Sequence, residues 1–121
     1  MQKQFRLQKN KQFQYVYRKG KNTASHRLVL LYARSRELKI GFSISKKIGN
    51  AVVRNKLKRR LREMVRPLTG QLKPGLYVII ARSGAAEASF ERLQKDLLYL
   101  VKKQNLYAAN LNQTQAVEDA K

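Results

Sequence analysis

Apolar residues recur between residues 46 and 66 with the spacing of one face of an α-helix. They fall at offsets of 4, 8, 11 and 12 from the first, and are Val53, Leu57, Leu61, Met64 and Val65. This spacing places them on a single stripe. Asn50 is suited to cap the start of the helix, and Pro67 ends it at Arg66. The pattern therefore predicts a helix with one face built to be buried.

Five further segments carry helix or strand patterns, which makes the predicted order α-β-β-α-β-α. Asn10 and Ser89 precede apolar stripes and are suited to cap the first and last helices. The strands are short apolar runs bounded by turn residues. The predicted helices span about 10–19 and 90–104, and the predicted strands span 26–34, 38–45 and 76–82.

The strand patterns predict one small central sheet. Strands 26–34 and 76–82 are apolar on both faces and so lie inside the sheet. The short connection after the first strand predicts that 38–45 runs antiparallel to it. If 38–45 and 76–82 are parallel neighbours, the basic helix between them is a crossover, which the general rule makes right-handed.

Alternation assigns the side chains of these strands to opposite faces of the sheet. In 38–45 the large apolar residues face one side, and Lys39, Gly41, Ser43 and Ser45 face the other. Small residues on one face leave room for a ligand or chain to approach closely. In 26–34, Leu28, Leu30 and Tyr32 point one way, while Val29, Leu31 and Ala33 point the other.

Basic residues are concentrated in the first half of the chain. The 121 residues include 27 Lys and Arg against 7 Asp and Glu, for a net charge of +20, and residues 1–66 carry +18 of it. A protein that only needed charge for solubility has no reason to segregate it. The segregation favours a binding surface for a polyanion, with nucleic acid preferred over a membrane surface or a plain basic face.

The charge is densest on the predicted amphipathic helix and the residues leading into it. Ordinary surface helices alternate charge signs and gain from Glu-to-Lys pairs four residues apart. Here only Glu63 opposes the cations, so something outside the helix must compensate their repulsion. The nine cations are Lys46, Lys47, Arg54, Lys56, Lys58, Arg59, Arg60, Arg62 and Arg66.

The first helix presents aromatic rings on the same face as an apolar residue. Phe13, Val16 and Tyr17 lie three and four positions apart, with lysines and arginines on either side. This face is either a core stripe or, for the two rings, a stacking platform for unpaired bases. The sequence leaves both interpretations open.

Composition limits the remaining function classes. No cysteine is present, no apolar run approaches the length of a membrane span, and the N-terminus lacks the apolar core of a signal peptide. The seven acids form no cluster suited to a two-metal nuclease, and His26 has no evident catalytic partner. We expect a soluble cytoplasmic protein with a single domain over 1–121, flexible at about 1–8 and 108–121, without catalytic or metal-binding residues of its own.

The segment SISKKIGNAVVRNKLKR at residues 43–59, followed by RLRE, resembles the signature region of the protein subunit of bacterial ribonuclease P. The similarity covers about residues 5–107, and the signature is long and specific. One departure is Lys56, where arginine is common in the family. Lysine keeps the charge but loses the bidentate fork of arginine.

The resemblance implies a fold and a function. The fold is α+β, a small α/β sandwich whose βαβ crossover is left-handed, against the general rule, as in the second domain of ribosomal protein S5. The holoenzyme removes the 5′ leader of precursor tRNA, with catalysis by an RNA subunit that uses magnesium ions. The protein is an accessory subunit that binds this RNA and the substrate.

The resemblance also implies the site residues. The leader would lie in a cleft lined by Phe13, Tyr17 and Tyr32. The catalytic RNA would be contacted by Lys46, Lys47, Arg54, Asn55, Lys56, Lys58, Arg59 and Arg62. The alternative is a non-enzymatic structural RNA-binding protein such as a ribosomal protein, which accounts for the charge equally well. A self-sufficient nuclease is disfavoured by the scattered acids.

Overall fold

The computed structural model describes residues 3–108, which fold in the order α-β-β-β-α-β-α. Short 3₁₀ turns at Lys3–Phe5, Lys46–Ile48 and Arg66–Leu68 precede or follow the main elements. The α-helices are α1 (Asn10–Lys19), α2 (Ala51–Val65) and α3 (Phe90–Lys103). The strands are β1 (Lys21–Ala24), β2 (Leu28–Ala33), β3 (Leu38–Ser43) and β4 (Gly75–Ala81).

The four strands form one sheet in the order β1-β2-β4-β3. β4 pairs antiparallel with β2 and parallel with β3. The predicted β3-α2-β4 crossover between parallel neighbours is therefore confirmed, while its handedness stays a prediction. β3 does run opposite to β2, but no hairpin joins them, because β4 lies between. The doubly apolar β4 suits a position with neighbours on both sides, and the more polar β3 suits an edge.

The edge strand β1 is absent from the predicted order. It pairs antiparallel with β2, with Lys21 opposite Tyr32 and Ala24 opposite Val29. Its sequence, KNTA, is polar and mostly exposed, so it carries no apolar alternation from which a strand could be predicted. Backbone pairing with the outer edge of β2 forms this strand.

One face of the sheet is covered by α2 and α3. The predicted stripe of α2 is confirmed for four of its five residues, because Leu57, Leu61, Met64 and Val65 are at most 2% exposed, while Val53 in the first turn is only partly buried. α3 contributes a matching set, which is Leu93, Leu97, Leu100 and Val101. Both helices have the predicted caps. The Asn50 side chain accepts from the N–H of Val53 at 3.0 Å, and that of Ser89 accepts from Arg92 at 3.1 Å.

The opposite face is covered by α1 and the N-terminal segment. Val16 of α1 is fully buried there. The helix begins at Asn10 itself, after Lys9, which makes no side-chain cap, so the predicted cap at Asn10 is displaced by one residue.

The N-terminal segment was expected to be flexible, but residues 3–8 lie against β3. The N–H of Leu7 donates to the carbonyl of Ile40 at 2.9 Å, and the Leu7 side chain is 5% exposed. The Lys39 ammonium donates to the carbonyl of Gln4 at 2.9 Å. The buried Leu7 side chain and the open edge of β3 thus dock a segment whose composition is mostly polar. Of the tail over 108–121, all but Ala108 lies outside the described residues.

Candidate nucleic-acid interface

The basic residues of α2 lie on two different sides of the helix. Arg54, Lys58 and Arg62 are four positions apart and border the buried stripe, so they are partly buried along one flank. Lys56 and Arg59 lie on the outward surface of the helix and are exposed, as are the two lysines ahead of it, Lys46 and Lys47. Asn55 is also exposed but borders the flank. The predicted RNA-facing set is therefore divided between a flank beside β3 and an outward surface.

The flank of α2 meets α1 at a cavity beside the edge strand β3. The cavity measures about 300 Å³, and we call it the Phe13 cavity. It is lined by residues from the N-terminal segment, α1, β3 and α2, which are Arg6, Leu7, Gln8, Phe13, Ile40, Gly41, Phe42, Lys58 and Arg62. The structure thus brings an aromatic residue of α1 together with two cations of α2 that are more than 40 positions away in the sequence.

The ring of Phe13 rests on Gly41. A Cβ atom at Gly41 would lie 2.5 Å from Cζ of Phe13 and 3.0 Å from Cβ of Leu7. The small-residue face of β3 therefore makes room for this ring. Tyr17 lies beside it, with ring centroids 6.2 Å apart, and is 43% exposed. Val16 takes the core role on this helix face, which leaves Phe13 half-buried and Tyr17 open to solvent.

The Phe13 cavity concentrates positive charge. The Nε atoms of Arg6 and Arg62 are buried and have no hydrogen-bond partner among the described residues. The ion pairs found between residues 3 and 108 join Arg27 to Asp96 and Arg66 to Glu63, so no carboxylate pairs with the cations of this cavity. A buried donor without a partner is costly, and an anion with several oxygens would satisfy these groups.

A smaller cavity extends the Phe13 cavity along β3. It measures about 140 Å³ and is lined by Phe42, Ile44, Arg54, Asn55 and Lys58. Phe42 and Lys58 line both cavities, so the two form one groove, which we call the β3 groove. Arg54 donates from Nε to the carbonyl of Gly49 at 3.0 Å, which fixes its guanidinium at the entry to α2.

The structure does not bring Tyr32 to Phe13 and Tyr17. Tyr32 packs on the face covered by α2 and α3, edge-on against Tyr77 with centroids 4.9 Å apart, and its hydroxyl donates to the carbonyl of Pro74 at 2.7 Å. The β2 residues on the face covered by α1 are Leu31 and Ala33, with Val29 partly buried beside them. The predicted three-ring cleft is corrected accordingly, because neighbouring residues of a strand face opposite sides.

Arg6 is the site residue that the sequence analysis missed. It lies in a segment expected to be loose, and its backbone bridges to Ile40 in the structure. The signal that could have revealed it is the pair of apolar residues on either side of it, Phe5 and Leu7, in an otherwise polar and basic segment.

Carboxylates and histidines are dispersed in the described part of the chain. No group of three or more His, Asp or Glu side chains that could hold a metal ion occurs within residues 3–108. His26 is exposed. In the same range, no helix has both the length and the apolar character needed to cross a membrane.

Comparisons with known proteins agree on one family. The family model described as Ribonuclease P matches residues 1–105. A ribonuclease P protein component of Bacillus velezensis is 44% identical over 110 residues, covering 88% of this chain and 95% of that protein. One from Bacillus cereus is 42% identical over 110 residues, covering 88% and 96%.

Solved structures give the same result. The ribonuclease P protein of Staphylococcus aureus superposes with a TM-score of 0.80 at 31% identity, covering 86% of this chain and 98% of that one. That of Thermotoga maritima gives 0.73 at 30% identity, covering 81% and 96%. The match over most of the chain, in both sequence and fold, shows that this chain belongs to the family of bacterial ribonuclease P protein components.

Proposed function

We propose that this chain binds the catalytic RNA subunit of ribonuclease P and the 5′ leader of precursor tRNA, and thereby supports endonucleolytic removal of the leader. The β3 groove is the proposed leader site, and the outward surface of α2 is the proposed contact for the RNA subunit. This assignment of two RNA ligands to two surfaces rests on one observation. Phe13 shares a cavity with Lys58 and Arg62, whereas Lys56 and Arg59 face solvent.

The chemistry of the β3 groove suits single-stranded RNA. Proteins bind single strands by stacking bases on aromatic rings while cations follow the phosphates. Phe13 and Tyr17 offer two neighbouring rings, and Arg6, Lys58 and Arg62 lie within the same cavity. Its volume of about 300 Å³ is at the lower end of ligand pockets, which suits one nucleotide.

Phosphate binding in the groove supplies affinity with little base selectivity. Each cation that neutralises a phosphate releases counterions, so binding weakens as salt rises. The absence of a side chain at Gly41 lets the Phe13 ring pack directly on β3, so the ring already has a defined position before RNA binds. Preorganisation of this kind lowers the entropic cost of binding.

The proposal assigns catalysis to the RNA partner. Magnesium ions would be held mainly by that RNA, which supplies phosphate oxygens suited to this hard cation. The chain itself would act as an accessory subunit that positions the leader. The proposal includes the cytoplasmic location that is expected from the sequence.

A reconstitution tests the proposal. The full chain is mixed with the catalytic RNA subunit and a precursor tRNA carrying a 5′ leader, at a magnesium concentration where the RNA alone is nearly inactive. We expect cleavage at the mature 5′ end in the mixture and none with protein alone. Tight RNA binding without any rescue of cleavage would favour a purely structural RNA-binding role. Cleavage by the protein alone would contradict the assignment of catalysis to RNA.

A further inference from the structure

A second basic cavity lies on the other face of the sheet, where α3 ends and β1 begins. It measures about 520 Å³, and we call it the Tyr32 cavity. Its lining residues are Lys21, Tyr32, Arg34, Ser35, Lys73, Pro74, Gln104 and Leu106. None of them lines the β3 groove, and the Tyr32 ring packs on the face opposite Phe13. The two sites are therefore separate.

One wall of the Tyr32 cavity is fixed around its aromatic ring. Tyr32 is held by its edge-on contact with Tyr77 and by its hydrogen bond to Pro74. Gly75 passes directly beside the ring, since a Cβ atom there would lie 2.3 Å from Cε1 of Tyr32. Gly75 also has a φ of 154°, which side chains rarely adopt. The loop thus closes against the ring in a way that only glycine allows.

The opposite wall is fixed by Gln104. Its Nε2 donates to the carbonyl of Lys21 at 3.0 Å and lies within hydrogen-bond distance of Oγ1 of Thr23 and the carbonyl of Leu30. These contacts hold the end of α3 to the start of β1. The backbone that carries Lys21 is therefore positioned without any ligand.

The charges of the Tyr32 cavity are not opposed. Lys21, Arg34 and Lys73 line it, and among the described residues no carboxylate lines it or pairs with these three cations. Another basic cavity, beside the start of α3, gives a contrast. There Arg92 and Lys95 are accompanied by acids, and Asp96 pairs with Arg27. The contrast cavity thus has two acids against three cations, whereas the Tyr32 cavity has no acid against three cations and is open to an anion.

The Tyr32 hydroxyl does not serve as the anion donor. Burial raises the pKa of Tyr32, against a smaller opposing effect of the Arg34 charge, so the hydroxyl stays protonated at neutral pH. Its hydrogen is committed to the carbonyl of Pro74. An anion in this cavity is therefore bound by the three cations, while the ring supplies a flat apolar wall.

We propose that the Tyr32 cavity is a second RNA-binding site, which takes a backbone phosphate between Lys21, Arg34 and Lys73 with the adjoining nucleoside against the ring of Tyr32. Carboxylates of an acidic peptide would satisfy the cations, but they would leave the aromatic wall without a partner. A nucleotide satisfies both features. The site goes beyond the leader groove and does not depend on it, and it lets one small protein contact RNA on both faces of its sheet.

A matched pair of double variants tests the site. R34A/K73A removes one arginine and one lysine from the cavity, and R92A/K95A removes the same pair near the start of α3, about 18 Å from Gln104 along the helix. The backbone contacts of Lys73 with Leu106 and Tyr77 remain in the first variant. We therefore expect both variants to keep the melting temperature of the parent. If R34A/K73A did not fold, R34Q alone would be used.

The ¹⁵N-labelled full chain is titrated with hexauridylate and followed by NMR. We expect the amides of Ser35, Gly75 and Leu106 to shift as one set and that of Gly41 to report the β3 groove separately. R34A/K73A should weaken the hexauridylate affinity reported by the first set at least tenfold, and should leave the affinity reported by Gly41 within twofold of the parent. R92A/K95A should change neither affinity.

Three outcomes would overturn the second site. The first is no shift at Ser35 and Gly75 when the shift at Gly41 is saturated. The second is equal weakening of hexauridylate binding at Ser35 and Gly75 by the two double variants. The third is that a hexa-aspartate peptide shifts these amides with the same affinity as hexauridylate. The last would indicate a site for acidic polypeptides. Each of these outcomes leaves the proposed leader site in the β3 groove untouched. Loss of the Gly41 shift alone would instead contradict the proposed leader site and leave the proposal of a second site supported.

Discussion

The helices α2 and α3 pack on the same face of the same sheet but present very different outer surfaces. Each buries four apolar residues and begins with a side-chain cap. Within their bounds, α2 carries six cations against one acid, while α3 carries four cations against two acids. On α3, Asp96 pairs with Arg27, whereas on α2 the Arg62 guanidinium has a buried Nε atom with no partner in the described chain.

This difference separates what folding requires from what function requires. A helix needs one apolar stripe to join the core, and both helices meet that need equally. The composition of the remaining surface is free, and on α3 it follows the ordinary rule of mixed signs. On α2 it breaks the rule, at an electrostatic cost that a bound polyanion offsets. The outward charge of α2 is therefore the feature that the proposed contact with the RNA subunit accounts for.

The largest expected effect is a loss of folding stability, and it should be equal for core substitutions in α2 and in α3. Leu61→Ala in α2 and Leu97→Ala in α3 each remove a side chain that is at most 1% exposed. Each should lower the free energy of unfolding by about 2–5 kcal/mol, because a cavity remains in a packed core. Urea denaturation of the two variants measures this. A decrease in the free energy of unfolding of less than about 1 kcal/mol for Leu61→Ala would show that α2 contributes less to the core than α3 does.

The next effect should distinguish the helices. Arg62→Ala should weaken holoenzyme binding to leader-bearing precursor tRNA by about 1.5–3 kcal/mol, because it removes charge-assisted hydrogen bonds from the β3 groove. Arg92→Ala removes the same side chain from α3 and should have little effect. Equilibrium binding at fixed salt measures both. Equal losses would mean that total charge, rather than position, determines affinity.

A ring substitution extends the comparison to stacking. Phe13→Ala should cost about 1–3 kcal/mol in binding of leader-bearing precursor tRNA and leave mature tRNA unaffected, since only the former offers an unpaired base. Tyr99 is the matched ring on α3, 53% exposed with the Lys103 ammonium 5.5 Å from its centroid. Tyr99→Ala should change neither ligand. If Phe13→Ala weakened both ligands alike, or lowered the melting temperature strongly, Phe13 would be a core residue instead.

The smallest effect concerns the outward surface of α2. Arg59→Ala should reduce the slope of log affinity against log salt by about one for the isolated RNA subunit, as expected for one lost phosphate contact. Its effect on affinity at moderate salt should be modest, because the side chain is exposed. Binding measured at several salt concentrations gives the slope. An unchanged slope, as expected for Arg92→Ala, would remove this surface from the interface with the RNA subunit.

Local pattern alone determined much of this protein. The 3.6-residue periodicity predicted the extents of α2 and α3, Asn50 and Ser89 marked where they begin, and unopposed charge distinguished α2 as the proposed RNA-binding helix. These features are readable because helix formation, capping and charge repulsion act between residues a few positions apart. The signature around α2 likewise pointed to the family before any fold was known.

The tertiary structure decided which side chains share a site. Alternation had put Tyr32 and Leu31 on opposite faces of β2, but nothing local said which face α1 would cover. Insertion of β4 between β2 and β3, the docking of Leu7, and the meeting of Phe13 with Arg62 likewise depend on contacts between distant segments. Such contacts are chosen by the free energy of the whole packed core, so a window of sequence cannot contain them.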